Sequence, residues 1–181
     1  MGENSQRCTA VHAAAAQNTA GHFGTTVAHL VVMHPFPHRY VVSSTATPEG
    51  SIVLASPGIP SLETVTPPEF DGPGGLWSPE TLLVAAVADC FLLTFRGIAR
   101  ASRMPWTSIS VECHGTLERP ERVTRFTRFE IHATVVLPDE VDEDQAQRIL
   151  TRAEETCLIT RSLNGETHLD IEIQRVATQI V

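Results

Sequence analysis

Apolar and polar positions along this chain change period several times, and each change marks an element. From Thr25 to Met33, β-branched Thr and Val predict a strand. His34-Pro35-Phe36-Pro37-His38 ends it, because proline cannot donate to a strand ladder. Arg39 to Val42 predicts a second strand and Ser51 to Leu54 a third. Ser56 to Gly75 is rich in Pro and Gly and reads as a long loop. Loops of that length in a compact domain are usually functional or mobile. Nearly every position from Leu82 to Phe95 is then apolar or small. That run predicts a helix covered on most sides. Its start is well specified, with Ser78 as N-cap, Pro79 at the first helical position and Glu80 at the positive end of the dipole. Met104-Pro105 stops it after about Ser102.

The period then falls to two. Ile109, Val111 and Cys113 share one face against Ser110, Glu112 and His114. Phe129, Ile131, Ala133, Val135 and Leu137 line one side of the next strand, and Arg119-Pro120-Glu121 makes the pair a hairpin. A helix starting near Asp142 places Ala146, Ile149, Leu150 and Ala153 on one apolar face. Cys157 to Leu163 reads as a further short helical piece, with Thr156 able to cap it and Cys157 at its N-terminus. Leu169, Ile171 and Ile173 alternate with His168, Asp170 and Glu172 in a last strand. The order predicts an α+β fold with a mostly antiparallel sheet and a buried central helix. Residues 1–22 show no period and read as a mobile tail carrying Cys8, with the domain spanning 23–181.

Composition narrows the function classes. A chain of 181 residues can bury one substantial core. The formal net charge of −8 argues against nucleic acid, whose phosphates require a basic surface. All 13 basic residues are arginine. Four cysteines are too few for a disulfide scaffold, and the N-terminus makes a poor signal peptide. The long apolar helix contains Glu80 and Asp89 and falls short of a typical membrane span, so a core helix is expected. These features predict a cytoplasmic protein that binds neither nucleic acid nor membrane.

Thiols are the chemistry that remains. Cys90 sits in the apolar helix, where cysteine ordinarily packs as a small hydrophobe, but Asp89 beside it is an unusual carboxylate there. Cys157, at the predicted helix start, would have donors that favour a thiolate, or would simply fill a helix junction. Cys113 faces the core. Arg39 lies at a loop-to-strand junction, either solvated or able to orient an anionic oxygen with its forked guanidinium. His34 and His38 have metal-ligand spacing only on a helix, which the intervening prolines forbid. No nucleotide-cofactor or GxSxG motif occurs, so no cofactor or metal is expected.

From about Gly24 to Val176 the sequence resembles the OsmC/Ohr family of organic hydroperoxide reductases. The strongest stretch runs from Pro68-Glu69-Phe70-Asp71-Gly72 through Trp77-Ser78-Pro79-Glu80 to Ala88-Asp89-Cys90-Phe91, and the second is Cys157-Leu158-Ile159-Thr160-Arg161-Ser162-Leu163. The resemblance implies that Cys90 attacks the peroxide and becomes a sulfenic acid. Cys157 would then form a disulfide with it, and an external dithiol would reduce that bond. It also implies that Glu80 pairs with an activating arginine, matched here by Arg39, in an intertwined homodimer with interfacial sites. Ten helical residues rise about 15 Å, so Glu80 and Cys90 of one straight helix cannot touch. An apolar pocket of Trp77, Phe91, Leu92 and Phe95 would suit an organic peroxide. Glu154 and Leu158 stand where many members carry histidine and proline, which marks a divergent branch. The competing expectation is a non-catalytic dimer of the same fold that binds an apolar or acyl ligand.

Overall fold

The structure, a computed structural model, describes residues 34–176. The tail at 1–22 and the strand expected at Thr25–Met33 lie outside the described residues. The chain divides into two compact units, Met1–Tyr40 and Val41–Val181. Of the first, the described part is an exposed segment without regular structure that carries Arg39.

The second unit opens with β1 (Ser43–Thr45), β2 (Ile52–Ala55) and β3 (Leu62–Thr64), an antiparallel sheet in that order. The strand expected at Arg39–Val42 is therefore shifted. Tyr40, Val41 and Val42 are exposed, and the ladder to β2 begins only at Ser43, opposite Ala55. The expected loop at 56–75 also needs correction. It contains β3 and a single 3₁₀ turn at Pro68–Phe70. A three-residue strand between prolines is too short to show a period.

Helix α1 (Pro79–Ala101) begins as its sequence dictates. Ser78 Oγ accepts from the Thr81 N–H at 3.2 Å, and the Ser78 N–H donates to Thr81 Oγ1 at 2.9 Å. This reciprocal cap satisfies two otherwise unpaired donors. Val87, Phe91, Phe95 and Ala99 recur every fourth residue and are fully buried. Each of the large ones contributes about 1.5–3 kcal/mol by leaving water. Only that face is fully buried, and most other positions up to Ile98 are half-buried. By length and composition α1 could also cross a membrane, but here it packs on a sheet and a second helix.

That sheet comprises β4 (Ser108–Glu118), β5 (Arg125–Leu137) and β6 (Glu166–Arg175). The β4–β5 pair is the expected antiparallel hairpin, whereas β5 and β6 run parallel. A parallel pair needs a crossover, supplied here by α2 (Glu143–Thr156). Arg175 ties the crossover down through the carbonyls of Pro138 and Val141, each at 2.8 Å, and through Glu143 at 2.9 Å. The core lies between this sheet and the two helices, with Phe129, Ile131, Val135, Leu137 and Leu150 at its centre. Gly115 allows the close approach of β4 to α1, because a Cβ there would meet Val84 Cγ2 at 2.5 Å.

Candidate functional site

Two cysteines meet where α1 passes the end of α2. Cys90 lies midway along α1 and is partly exposed, whereas Cys157 is fully buried. Their thiols are neighbours, close enough for Cys157 to act on the titration of Cys90. Cys90 opens into a cavity of about 410 Å³ lined by Ala86, Asp89, Leu93, Thr94, Leu158 and Ile159. The wall from α1 follows from helical spacing, since residues three and four apart share a face. Asp89 is exposed at the rim of the cavity, so water and not the core solvates the carboxylate that looked anomalous in sequence.

Two opposing effects act on the Cys90 sulfur. Burial pushes its pKa up, and the neighbouring Cys157 thiol adds to this. The Ile159 backbone N–H and the Thr94 hydroxyl donate hydrogen bonds to it and pull the other way. A donor aimed at sulfur stabilises the thiolate, the nucleophilic form of cysteine. These donors come from two elements, the middle of α1 and the turn after α2. Thr94 was not singled out from sequence, although its i+4 spacing from Cys90 was available as a signal. The Ile159 N–H could not be read, because its direction depends on the turn.

Cys157 itself departs from expectation. It is the C-cap of α2, its N–H donating to the Glu154 carbonyl at 3.1 Å. Thr156 is the last residue of α2, and its hydroxyl donates to the Arg152 carbonyl at 2.7 Å. The following helical piece is a single 3₁₀ turn at Thr160–Ser162, beginning three residues later. Cys157 therefore has no helix N-terminus behind it, and what distinguishes it is its contact with Cys90. The Glu154 carboxyl one turn earlier is pushed up by burial and then by the Glu155 charge.

The expected apolar pocket is likewise redrawn. Phe91 and Phe95 are fully buried in the core, and Leu92 packs against it. Trp77 is half-exposed beside β3, where it forms a bridge with Thr64. Leu93 and Leu158, both largely exposed, provide the apolar wall instead. Cys113 faces the core as expected, and burial takes its thiol up to about 11.

Glu80 lies apart from the thiols. It lines a second cavity, of about 290 Å³, with Pro67, Phe70, Val84, Leu117 and Phe126. Its Oε2 is buried and has no hydrogen-bond partner among the described residues. A buried carboxylate oxygen without a partner is costly. Arg39 belongs to the other compact unit and is exposed there. Thus Cys90 and Cys157 come together, while Glu80 stands in a different cavity of the same chain. Among the described residues no cluster of His, Cys, Asp and Glu has a metal-binding arrangement.

Comparison with known proteins agrees with this architecture. The profile described as OsmC-like protein matches residues 72–172. An uncharacterized protein of Bacillus subtilis, YmaD, is 27% identical over 109 residues, covering 59% of this chain and 73% of the relative. An OsmC-like protein of unknown function from Vibrio cholerae superposes with a TM-score of 0.69 at 19% identity, covering 75% of this chain and 99% of its own. An organic hydroperoxide resistance protein OsmC from Legionella pneumophila gives 0.62 at 20%, covering 77% and 99%. An organic hydroperoxide resistance protein from Elizabethkingia anophelis gives 0.61 at 18%, covering 78% and 100%. With its two three-stranded sheets, long central helix and matched profile, the chain belongs to the OsmC-like protein family.

Proposed function

We propose that the protein is a thiol-dependent peroxidase that reduces organic hydroperoxides through Cys90 and Cys157. The observation that carries this reading is the pair of neighbouring thiols, with one sulfur open to a cavity and the other buried. The Cys90 thiolate attacks the outer peroxide oxygen. The O–O bond breaks, sulfur gains OH, and the departing alkoxide takes a proton to leave as an alcohol. The Cys157 thiol then attacks the Cys90 sulfenic acid, forming the S–S bond and releasing water. An external dithiol returns both thiols by exchange, giving up two electrons and two protons and becoming a disulfide. The difference in exposure supports the order of events, because peroxide reaches Cys90 first. The exposed sulfur is also the one an incoming thiolate can attack, with Cys157 leaving.

The reading includes a homodimer in the cytoplasm, where reducing dithiols are available. Glu80 and Cys90 are too far apart along one helix to share a site, and the Glu80 oxygen lacks a partner among the described residues. Both features favour a second chain that completes each site. Arg39 is the guanidinium we assign to Glu80 and to thiolate activation. One equivalent of cumene hydroperoxide added to the reduced protein should remove two titratable thiols. The same sample should scatter light as a particle of about twice 19.7 kDa. Loss of no thiol would overturn the peroxidase, and a clean monomer would overturn the shared site.

Donors at the Cys90 sulfur yield a pH prediction. Removing a donor takes the thiol pKa further up, so less thiolate exists at neutral pH. Thr94→Val should therefore shift the pH curve of Cys90 alkylation to higher pH. Thr94→Ser should restore it. Arg39→Ala should shift it in the same direction if the assignment of that cation is right. A Thr94→Val curve that overlies the parent's would mean that the hydroxyl has no part in activation.

A further inference from the structure

Beyond the cavity at Cys90, α1 borders a further groove, of about 460 Å³, lined by Leu93, Arg96, Gly97, Arg100, Met104 and Trp106. Leu93 belongs to both cavities, so the two adjoin. The helical part is one stripe, at i, i+3, i+4 and i+7. Its apolar floor is built by the end of the helix. The Met104 N–H returns to the Ala99 carbonyl at 3.0 Å and the Arg103 N–H to the Arg100 carbonyl at 3.2 Å, with Arg103 at a φ of 53°. This left-handed reversal folds Met104 under α1, where it is buried. Trp106 follows, held edge-on to Phe95 at 5.4 Å between ring centroids.

Two arginines stand over that floor, one turn apart. Among the described residues neither guanidinium is in ion-pair range of a carboxylate. In a chain with 21 acidic and 13 basic residues, such a pair contrasts with the overall charge. Like charges at i, i+4 destabilise a helix slightly, and an anion held between them removes that repulsion. The backbone cannot supply the attraction, because a helix C-terminus carries partial negative charge. Guanidinium forks above Trp106, Met104 and Leu93 suit a ligand with a carboxylate at one end and an aliphatic body.

We propose that Arg96 and Arg100 bind the carboxylate of an acyl chain, whose body lies along Leu93 and presents its peroxide to Cys90. This rests on the peroxidase reading for the final step only. Arg96 and Arg100 lie six and ten residues beyond Cys90, about 9 and 15 Å along the helix axis. The preferred peroxide would thus carry its charge one medium-length acyl segment away from its O–O bond. The two arginines are specificity-determining residues in this account.

The test separates binding from turnover. Titration of the reduced full-length protein with decanoate, followed by calorimetry, should show binding that weakens about tenfold or more in Arg96→Gln/Arg100→Gln. The Lys/Lys variant should recover part of it, and binding of 1-decanol should not follow the charge. For turnover, the readout is the ratio of kcat/KM for a fatty-acid hydroperoxide to that for its methyl ester. The ratio should exceed one in the parent and fall towards one in the double Gln variant. Equal decanoate binding by parent and variant, or none by the parent, would overturn the site. An unchanged ratio would overturn its service to Cys90. Arginine-dependent decanoate binding without consumption of either peroxide would leave the carboxylate site standing and refute the peroxidase instead.

Discussion

Cys90→Ser should abolish peroxide consumption, leaving the rate at the background of peroxide and dithiol alone. A serine hydroxyl at the same place is almost fully protonated at neutral pH and has no thiolate to offer. The environment does not compensate, because burial acts against any anion at this position. The loss is in chemistry rather than in fold. Cys90 is only partly buried, and the exchange keeps the shape of the side chain. The stability change should be within about 1–2 kcal/mol, seen as a small shift in Tm with the same α+β circular dichroism. The measurement is cumene hydroperoxide consumption with dithiothreitol, parent against variant. Turnover by the variant at a substantial fraction of the parent rate would remove Cys90 from the reaction. Cys113→Ser is the matched control. Its thiol faces the core and is shifted up to about 11 by burial, so it is poorly suited to act as a nucleophile.

Legibility in the sequence followed the strength of local signals. α1, β4, β5, α2 and β6 were readable because each repeats its apolar period over ten residues or more and carries a cap or a turn at its ends. The first sheet was less readable. Its strands are three or four residues long, and β3 lies inside a stretch punctuated by proline and glycine. The parallel direction of β6 depends on α2 crossing over the sheet, a tertiary fact that alternation cannot contain. At the site, both cysteines were singled out. Their contact was implied only by family resemblance, since no spacing rule brings residues of two helices together. The misplaced helix start at Cys157 has a specific cause. Thr156 is as good a cap as a last helical residue, and its hydroxyl turned back to Arg152 instead. The lining of the cavity at Cys90 differs from the expected apolar pocket for a related reason. Apolar residues on α1 were expected to line the pocket because they are apolar, but Phe91 and Phe95 occupy the face that the sheet covers. Leu93 and Leu158, which face outward, line the cavity instead.

Cys157→Ser should react with peroxide once and then fail. Cys90 keeps its cavity and its donors from Thr94 and Ile159 in that variant, so the first step persists. What disappears is the thiol that captures the sulfenic acid. In the proposed mechanism Cys157 takes that role by position, because it is buried and neighbours the Cys90 sulfur. A disulfide requires Cα atoms about 4.4–6.8 Å apart, so the proposed resolving step requires Cys90 and Cys157 to come within that range. Without that partner, the sulfenic acid stays exposed to a second peroxide and goes on to sulfinic acid, which the dithiol cannot reverse. After a modest excess of peroxide, intact mass should show two added oxygens on the variant. The parent should lose two hydrogens and give a peptide linking Cys90 to Cys157. Multiple turnover by the variant should fall to a few per cent or less, while its first-turnover rate stays within a few-fold of the parent's. Sustained turnover by the variant, or a parent with no such cross-link, would rule out Cys157 as the resolving thiol and leave the external dithiol to meet the sulfenic acid directly.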